Sequence, residues 1–398
     1  MNITGMRTLL IGLLVVFTFS ISCNDHEKDK KETPPSEDIS LEVPSEIRVA
    51  VFEGYGASPG CITDAVEALK LDKDISAETI SAAEIITGGL DNFDVLVIPG
   101  GGGSRQYSNM GDLGVQKIID FVMNKGKGIV GICAGAYLLT NTPGYTCLKL
   151  SGAQAIDLEH DERGHGIAEF EMTEEGGEIF PELKDLNSCF VFYYEGPVII
   201  PAENDTISYT SLATMKSDIH LQNNAPEGMT PGKPCFLNSK AGKGKVFLTS
   251  CHPETTPGMR WTVPRMARWT AGKELTGYSE NVVRPDIYSE EILFDEELNN
   301  EESMMFNDLI YGSAREKIKA IERLVEIHSW SARYRIPGLL RDADQNVRLA
   351  AAKALVDIEY TSEIDDLEAS LLIEKDENCK AELKKCLDAL KNMIHINY

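Results

Sequence analysis

The sequence predicts an α/β domain, a parallel sheet with helices on both faces, followed by an all-α solenoid. Three observations carry this. Between residues 47 and 139 short apolar runs alternate with stretches of helical periodicity, the pattern of strands joined by crossover helices. Two of the apolar runs end in glycine-bearing turns, Pro99-Gly100-Gly101-Gly102-Gly103 and Gly131-Ile132-Cys133-Ala134-Gly135. Beyond residue 309 the chain repeats itself every 31 to 32 residues, a period that indicates stacked helical units.

Taken in order, Ile47 to Phe52 reads as a strand, Cys61 to Leu71 as a helix, Ala77 to Ser81 and Val95 to Ile98 as strands. Leu113 to Asn124 is a helix whose apolar side carries Val115, Ile118, Ile119, Phe121 and Val122, and Gly128 to Ile132 returns as a strand. Residues 145 to 240 look antiparallel, with Ala168 to Met172, Cys189 to Tyr194 and Thr206 to Thr210 as strands of a β-rich elaboration beside the sheet. Residues 276 to 308 read as an acidic linker. In the repeats, Lys319 to Ile327 aligns with Ala350 to Ile358, and Asp344, Val347 and Leu355 with Asp376, Cys379 and Leu387. Such an array either presents a surface to a protein partner or packs on the preceding domain.

The N-terminus carries a short basic stretch, Met1 to Arg7, and an apolar stretch, Thr8 to Ser20, too short to span a bilayer comfortably. Phe19-Ser20-Ile21-Ser22-Cys23 resembles a bacterial lipoprotein signal, with Cys23 as the lipidated residue; the alternative is an ordinary cleaved secretory peptide. Residues 24 to 45, rich in charge, Pro and Ser, cannot bury enough apolar surface to order themselves and read as a disordered tether. The expected location is therefore the bacterial cell envelope, held to a membrane by a lipid anchor only. Sixty-three acidic against 38 basic residues give a formal charge of -25, which excludes nucleic acid as a partner and a basic patch as the means of membrane adhesion.

The chemistry-bearing residues fall in three places. Cys133 stands between an apolar strand and a helix start, the setting of a nucleophile elbow, where flanking glycines let backbones approach. His252-Pro253-Glu254 follows the strand 245 to 251, and alternation there sends the base and the carboxylate to one side. A thiol nucleophile needs such a base, and the base a group that orients it. The N-H groups of Gly100, Gly101 and Ala134 would hold an oxyanion. The competing reading of Cys133 is a small buried hydrophobe. Asp157 to His165 gathers metal-ligating side chains, but His160 and His165 share no helix face well and no third ligand is identifiable, so no metal site and no cofactor are expected.

These pieces in this order resemble the class I glutamine amidotransferase-like superfamily, with its flavodoxin-like parallel sheet. Val51 to Pro59, Arg163-Gly164-His165-Gly166 and Phe192 to Pro197 look more narrowly like the biotin-protein ligase N-terminal domain family, over about residues 46 to 275. The resemblance implies Cys133, His252 and Glu254 as a catalytic triad and places Arg163, His165, Tyr194 and Glu195 at a substrate pocket, where structural roles would serve equally well. Glu53, at the end of the first strand, is a further acid or base of the crevice or a solvated loop carboxylate. The solenoid, by Ile336 to Arg348, resembles HEAT-like repeats. The elbow continues Gly135-Ala136-Tyr137, without the extension that helps bind glutamine, and the chain has neither a synthetase domain nor the adenylate loop of a biotin ligase. The domains expected are thus a signal at 1 to 23, the tether, the amidotransferase-like domain at 46 to 275, the linker, and repeats at 309 to 398. Two function classes fit: a Cys-His-Glu hydrolase acting on a small-molecule or peptide amide or related acyl bond, and a non-catalytic scaffold of the same fold that binds a partner through its repeats.

Overall fold

The computed structural model describes residues 47 to 203 and 205 to 394. The expected signal, Cys23 and the tether lie outside the described residues. Strand β1 (Ile47–Glu53) leads into α1 (Pro59–Leu69), β2 (Ile75–Ser81) and α2 (Ala82–Thr87); β3 (Val95–Ile98) is followed by α3 (Gly103–Met123), β4 (Gly128–Ile132) and α4 (Ala134–Leu139). The alternating pattern thus does produce strands and crossover helices. The helical stretch expected from Leu113 extends back to Gly103, broken at Gly111 by a positive φ of 60°.

Next come β5 (Ala153–Ala155), β6 (His165–Met172), α5 (Glu174–Ile179), β7 (Cys189–Tyr194), β8 (Ile199–Pro201), β9 (Tyr209–Met215), β10 (Pro234–Ala241) and β11 (Gly244–Thr249), then α6 (Thr262–Ala271). β2, β1, β3, β4 and β11 lie side by side and parallel, the 2-1-3-4-5 order of a doubly wound sheet. The β-rich region does not stand beside this sheet. β10 pairs antiparallel with β11, β9 with β10 and β6 with β9, so most of it extends the same sheet, to ten strands once β7 and β12 (Ile292–Leu293) have joined β6. A tight Gly242-Lys243 turn between β10 and β11 makes the continuation, since antiparallel neighbours need no crossover. The strand expected at 206 to 210 begins at Tyr209 and runs to Met215.

Alternation along the buried strands splits the core between the two faces. Val49, Val51, Val95, Val97 and Val130 pack under α1 and α6, while Ala50, Phe52, Leu96, Ile98 and Ile129 pack under α2, α3 and α4.

The remaining helices are α7 (Glu296–Tyr311), α8 (Ala314–Glu326), α9 (Gln345–Asp357), α10 (Ile364–Ile373) and α11 (Glu377–Lys391). α8, α9 and α11 begin at residues 314, 345 and 377, in step with the sequence repeat. Their buried residues, among them Ile321, Leu324, Val347 and Leu355, belong to the same apolar core as α1 and α6. Polar ties reinforce the contact. The buried Glu359 carboxylate accepts from Gly258 N-H at 2.9 Å and from Arg284, and its carbonyl accepts from Arg260. Arg333 pairs with the buried Asp64 of α1. The stretch expected as a linker is also attached: Tyr278, Val282 and Phe294 are buried, and β12 occupies a place in the sheet.

Candidate active site

Cys133 sits at the carboxyl end of β4 with φ 52° and ψ -107°, a backbone conformation that a residue with a Cβ adopts only under strain. Its N-H is fixed by the carbonyl of Thr249 at 2.9 Å. The flanking glycines are steric necessities. A Cβ on Gly135 would stand 2.0 Å from the Ile98 carbonyl oxygen and one on Gly131 2.6 Å from that of Gly135, because α4 turns back over the sheet end. The Cys133 thiol reaches the Tyr194 carbonyl at 3.3 Å and faces the ring of His252.

His252 is held from several sides. Its N-H donates to the Phe192 carbonyl at 2.7 Å, its carbonyl accepts from the Thr256 hydroxyl at 2.8 Å, and its Nδ1 lies 2.7 Å from Glu254 Oε1. The expected route to this pairing needs correction. β11 stops at Thr249, and His252 and Glu254 meet because Pro253–Thr255 forms a turn of 3-10 helix, which folds the carboxylate back onto the ring. Both are almost fully buried. Burial alone would push the His252 pKa down, but the Glu254 carboxylate, with Cys133 beside it, holds it well above its ordinary value. The carboxylate thus favours the protonated ring.

Cys133, His252, Gly101, Ala134, Tyr194 and Glu195 share a cleft of about 480 Å³ at the carboxyl ends of the strands. Gly101 bridges Ala57, and since the bonds of that bridge run from Gly102 N-H to Gly56 and from Ser58 N-H to Gly100, the N-H of Gly101 is left out of it. Gly100 lies behind the wall. A Cβ there would meet His252 Cε1 at 2.8 Å and Cys61 Sγ at 2.9 Å, so it makes room for the ring.

The other expected pocket residues divide. Tyr194 and Glu195 line the cleft, and Glu195, at φ 52°, has its pKa pushed up to about 7 by burial and then by Glu162 and Asp161. Arg163 does not face the cleft: fully buried, it pairs with Asp157 and donates to Tyr193 and, at 2.8 Å, to the Gly196 carbonyl. Asp157 in turn accepts from Tyr137 at 2.5 Å, so Arg163 shapes the wall through Tyr137, which does line the cleft. His165 stacks between Tyr194 and Phe294, with centroids 4.9 and 4.6 Å away, and burial lowers its pKa to about 4. It lines an adjoining hollow rather than the cleft itself. Glu53 ends β1 and is not among the cleft residues.

Two residues that the sequence did not single out are at the centre. Cys61, near the start of α1, also lies beside the His252 ring, its sulfur within 4.8 Å of a ring nitrogen. Trp330, from a short 3-10 turn between α8 and α9, lines the cleft and packs against His252, Phe192 and Tyr194 with centroids 5.8, 5.9 and 5.2 Å apart. Neither belongs to a motif, since each reaches the site only through the packing of a distant helix.

The family model described as "Biotin-protein ligase, N terminal" matches residues 47 to 278, more than half of the chain. The chain belongs to this family. No curated protein matches it. Among solved structures it is similar to a beta-galactosidase from Bacillus circulans sp. alkalophilus, at 16% identity and TM-score 0.37, covering 61% of this chain and 34% of that one. It thus spans about a third of the length of that enzyme. A cytoplasmic protein from Salmonella typhimurium matches at 14% identity and TM-score 0.36, over 57% of this chain and 97% of its own. The glutaminase domain of Trypanosoma brucei CTPS with bound acivicin matches at 12% identity and TM-score 0.37, over 57% and 95% respectively.

Proposed function

We propose that this family member is a Cys-His-Glu hydrolase of the class I glutamine amidotransferase-like type, acting on an amide or related acyl bond of a small molecule or peptide. The observation that carries the reading is a single imidazole bonded to Glu254 at 2.7 Å on one side and met on another by the thiol of Cys133, at a strained turn open to a cleft. Cys133 Sγ attacks the amide carbon, and the oxyanion takes the N-H groups of Gly101 and Ala134. His252 passes the thiol proton to the departing amine as the C-N bond breaks, leaving a thioester. Water then adds, its proton going through His252 to the sulfur as the C-S bond breaks and the acid departs. Glu254 keeps the ring oriented throughout. Tyr137, tied to Asp157, stands where a glutamine-binding extension would be, and this favours a substrate other than glutamine.

The deciding measurement is alkylation of Cys133 by iodoacetamide across pH, in the wild type and in His252→Ala. The expected result is a rate near neutral pH at least ~10-fold slower in the variant. Equal rates would leave no activated pair and end this reading in favour of a scaffold that keeps the fold without turnover.

The same proposal includes the setting: a protein lipidated at Cys23, tethered in the bacterial cell envelope, with HEAT-like repeats that engage a protein partner. The matching starts of α8, α9 and α11 support the repeats. Among the described residues no helix is long and apolar enough to cross a membrane. Labelling with a palmitate analogue, lost in Cys23→Ser, tests the anchor.

A further inference from the structure

We propose that Cys61, His252 and Glu254 form an inhibitory binding site for a thiophilic divalent cation of the zinc class. One ligand atom from each, a thiol sulfur, a ring nitrogen and a carboxylate oxygen, lies within 4.8 Å of the other two. A tetrahedral zinc ion bound at about 2.0 to 2.3 Å spaces its ligands by roughly 3.3 to 3.7 Å, a contraction that side-chain rotation supplies. The mixed sulfur, nitrogen and oxygen set suits a borderline cation and not magnesium or calcium, which prefer all-oxygen shells.

A second observation points to a ligand independently of this clustering. Glu254 is almost fully buried, yet its Oε2 has no hydrogen-bond partner, whereas buried carboxylate oxygens are ordinarily satisfied. An oxygen in that position is an available ligand. Nor does the hydrolytic scheme explain Cys61. A triad needs one thiol, and this second one is set against the base with Gly100 clearing the space for both. Cys61 and His252 line the cleft, so an ion can enter, and the cleft supplies water as the fourth ligand.

Binding forms bonds from the metal to sulfur, nitrogen and oxygen, and releases the thiol proton of Cys61 and a ring proton of His252 to solvent. No electrons move. The base is then committed to the metal and no longer serves Cys133. The inhibitory half of this inference rests on the hydrolase reading; the binding half does not.

The test uses the purified chain with cobalt(II) as a spectroscopic probe and zinc as a competitor. One cobalt per chain is expected, with a thiolate-to-cobalt charge-transfer band in the near ultraviolet that zinc abolishes. Cys61→Ser and Glu254→Gln, checked for folding by circular dichroism, should each weaken binding at least ~10-fold. Cys133→Ser should keep the band. Zinc should slow Cys133 alkylation at least ~10-fold in the wild type, and the ratio of the rate with zinc to the rate without it should rise toward one in Cys61→Ser. Absence of the band, or a band that survives Cys61→Ser and vanishes in Cys133→Ser, overturns the site. A band without protection of Cys133 overturns the inhibition. If the band appears while metal-free Cys133 reacts equally with and without His252, the hydrolase reading fails and the metal site stands.

Discussion

The α/β body and the C-terminal helices meet at one imidazole and contribute to it differently. The body supplies the candidate catalytic groups from strand ends: Cys133 after β4, Gly101 after β3, and His252 with Glu254 after β11. The helical region covers the His252 ring with Trp330 and anchors α1 with Arg333. Polar groups placed on loops over a rigid sheet, with their cover brought from elsewhere, divide the site into a part that carries the candidate chemistry and a part that packs over it.

Changes at four positions break or sharpen that contrast. The largest effect should come from Cys133→Gly in the body. Activity should fall by ~10³ or more, while relief of the left-handed strain at φ 52° raises stability by about 1 kcal/mol, so thermal melting and activity move in opposite directions. Arg333→Ala, on the helical side, should do the reverse, leaving the reacting groups in place. It strands the buried Asp64, whose pKa burial already raises against the pull of Arg333, and should cost about 3 to 5 kcal/mol in denaturant unfolding. Trp330→Ala removes a half-buried indole and should cost about 2 kcal/mol, with Trp330→Phe recovering part of it, because the ring contacts to Phe192 and Tyr194 are aromatic.

The smallest effect lies in the acidic wall of the cleft. Glu195 takes up a proton in the folded state at a pH where the unfolded chain has lost it, so stability should decline as pH rises from the ordinary carboxylate range of about 4.3 through about 7. Glu195→Gln should flatten the pH dependence of the melting temperature across that window and leave it unchanged below. Being partly exposed to solvent, the group should contribute no more than about 1 kcal/mol.

The contrast also governs what was legible in the sequence. The body announces itself through local signals: strand runs that end in glycine, an elbow spelled Gly-x-Cys-x-Gly, and a His-Pro-Glu triplet, each within a few residues. The helical region shows its period but not its destination, since packing decides where Trp330 comes to rest. Cys61 is similarly silent: nothing near it in the sequence indicates that an imidazole from residue 252 will lie against it. The antiparallel strands look like a separate elaboration in the sequence because a pattern identifies a strand's faces and not its neighbour; the pairing of β10 with β11 joins them to the main sheet. Even the His252–Glu254 pair, which alternation along a strand predicts, forms through a helical turn. The two routes give the same contact because residues two apart can meet in either geometry when the second side chain is long.

The cover contributed by Trp330 has a consequence for the order of events in making the protein. Synthesis runs from the amino end, so the sheet, the elbow and His252 all exist before residue 330 has been added. Until then the ring of His252 has no indole against it, and Asp64 lacks its ion pair with Arg333. A nascent chain thus carries Cys133, His252 and Glu254 early and their cover late, which makes the arrival of residue 330 the step that finishes the cleft.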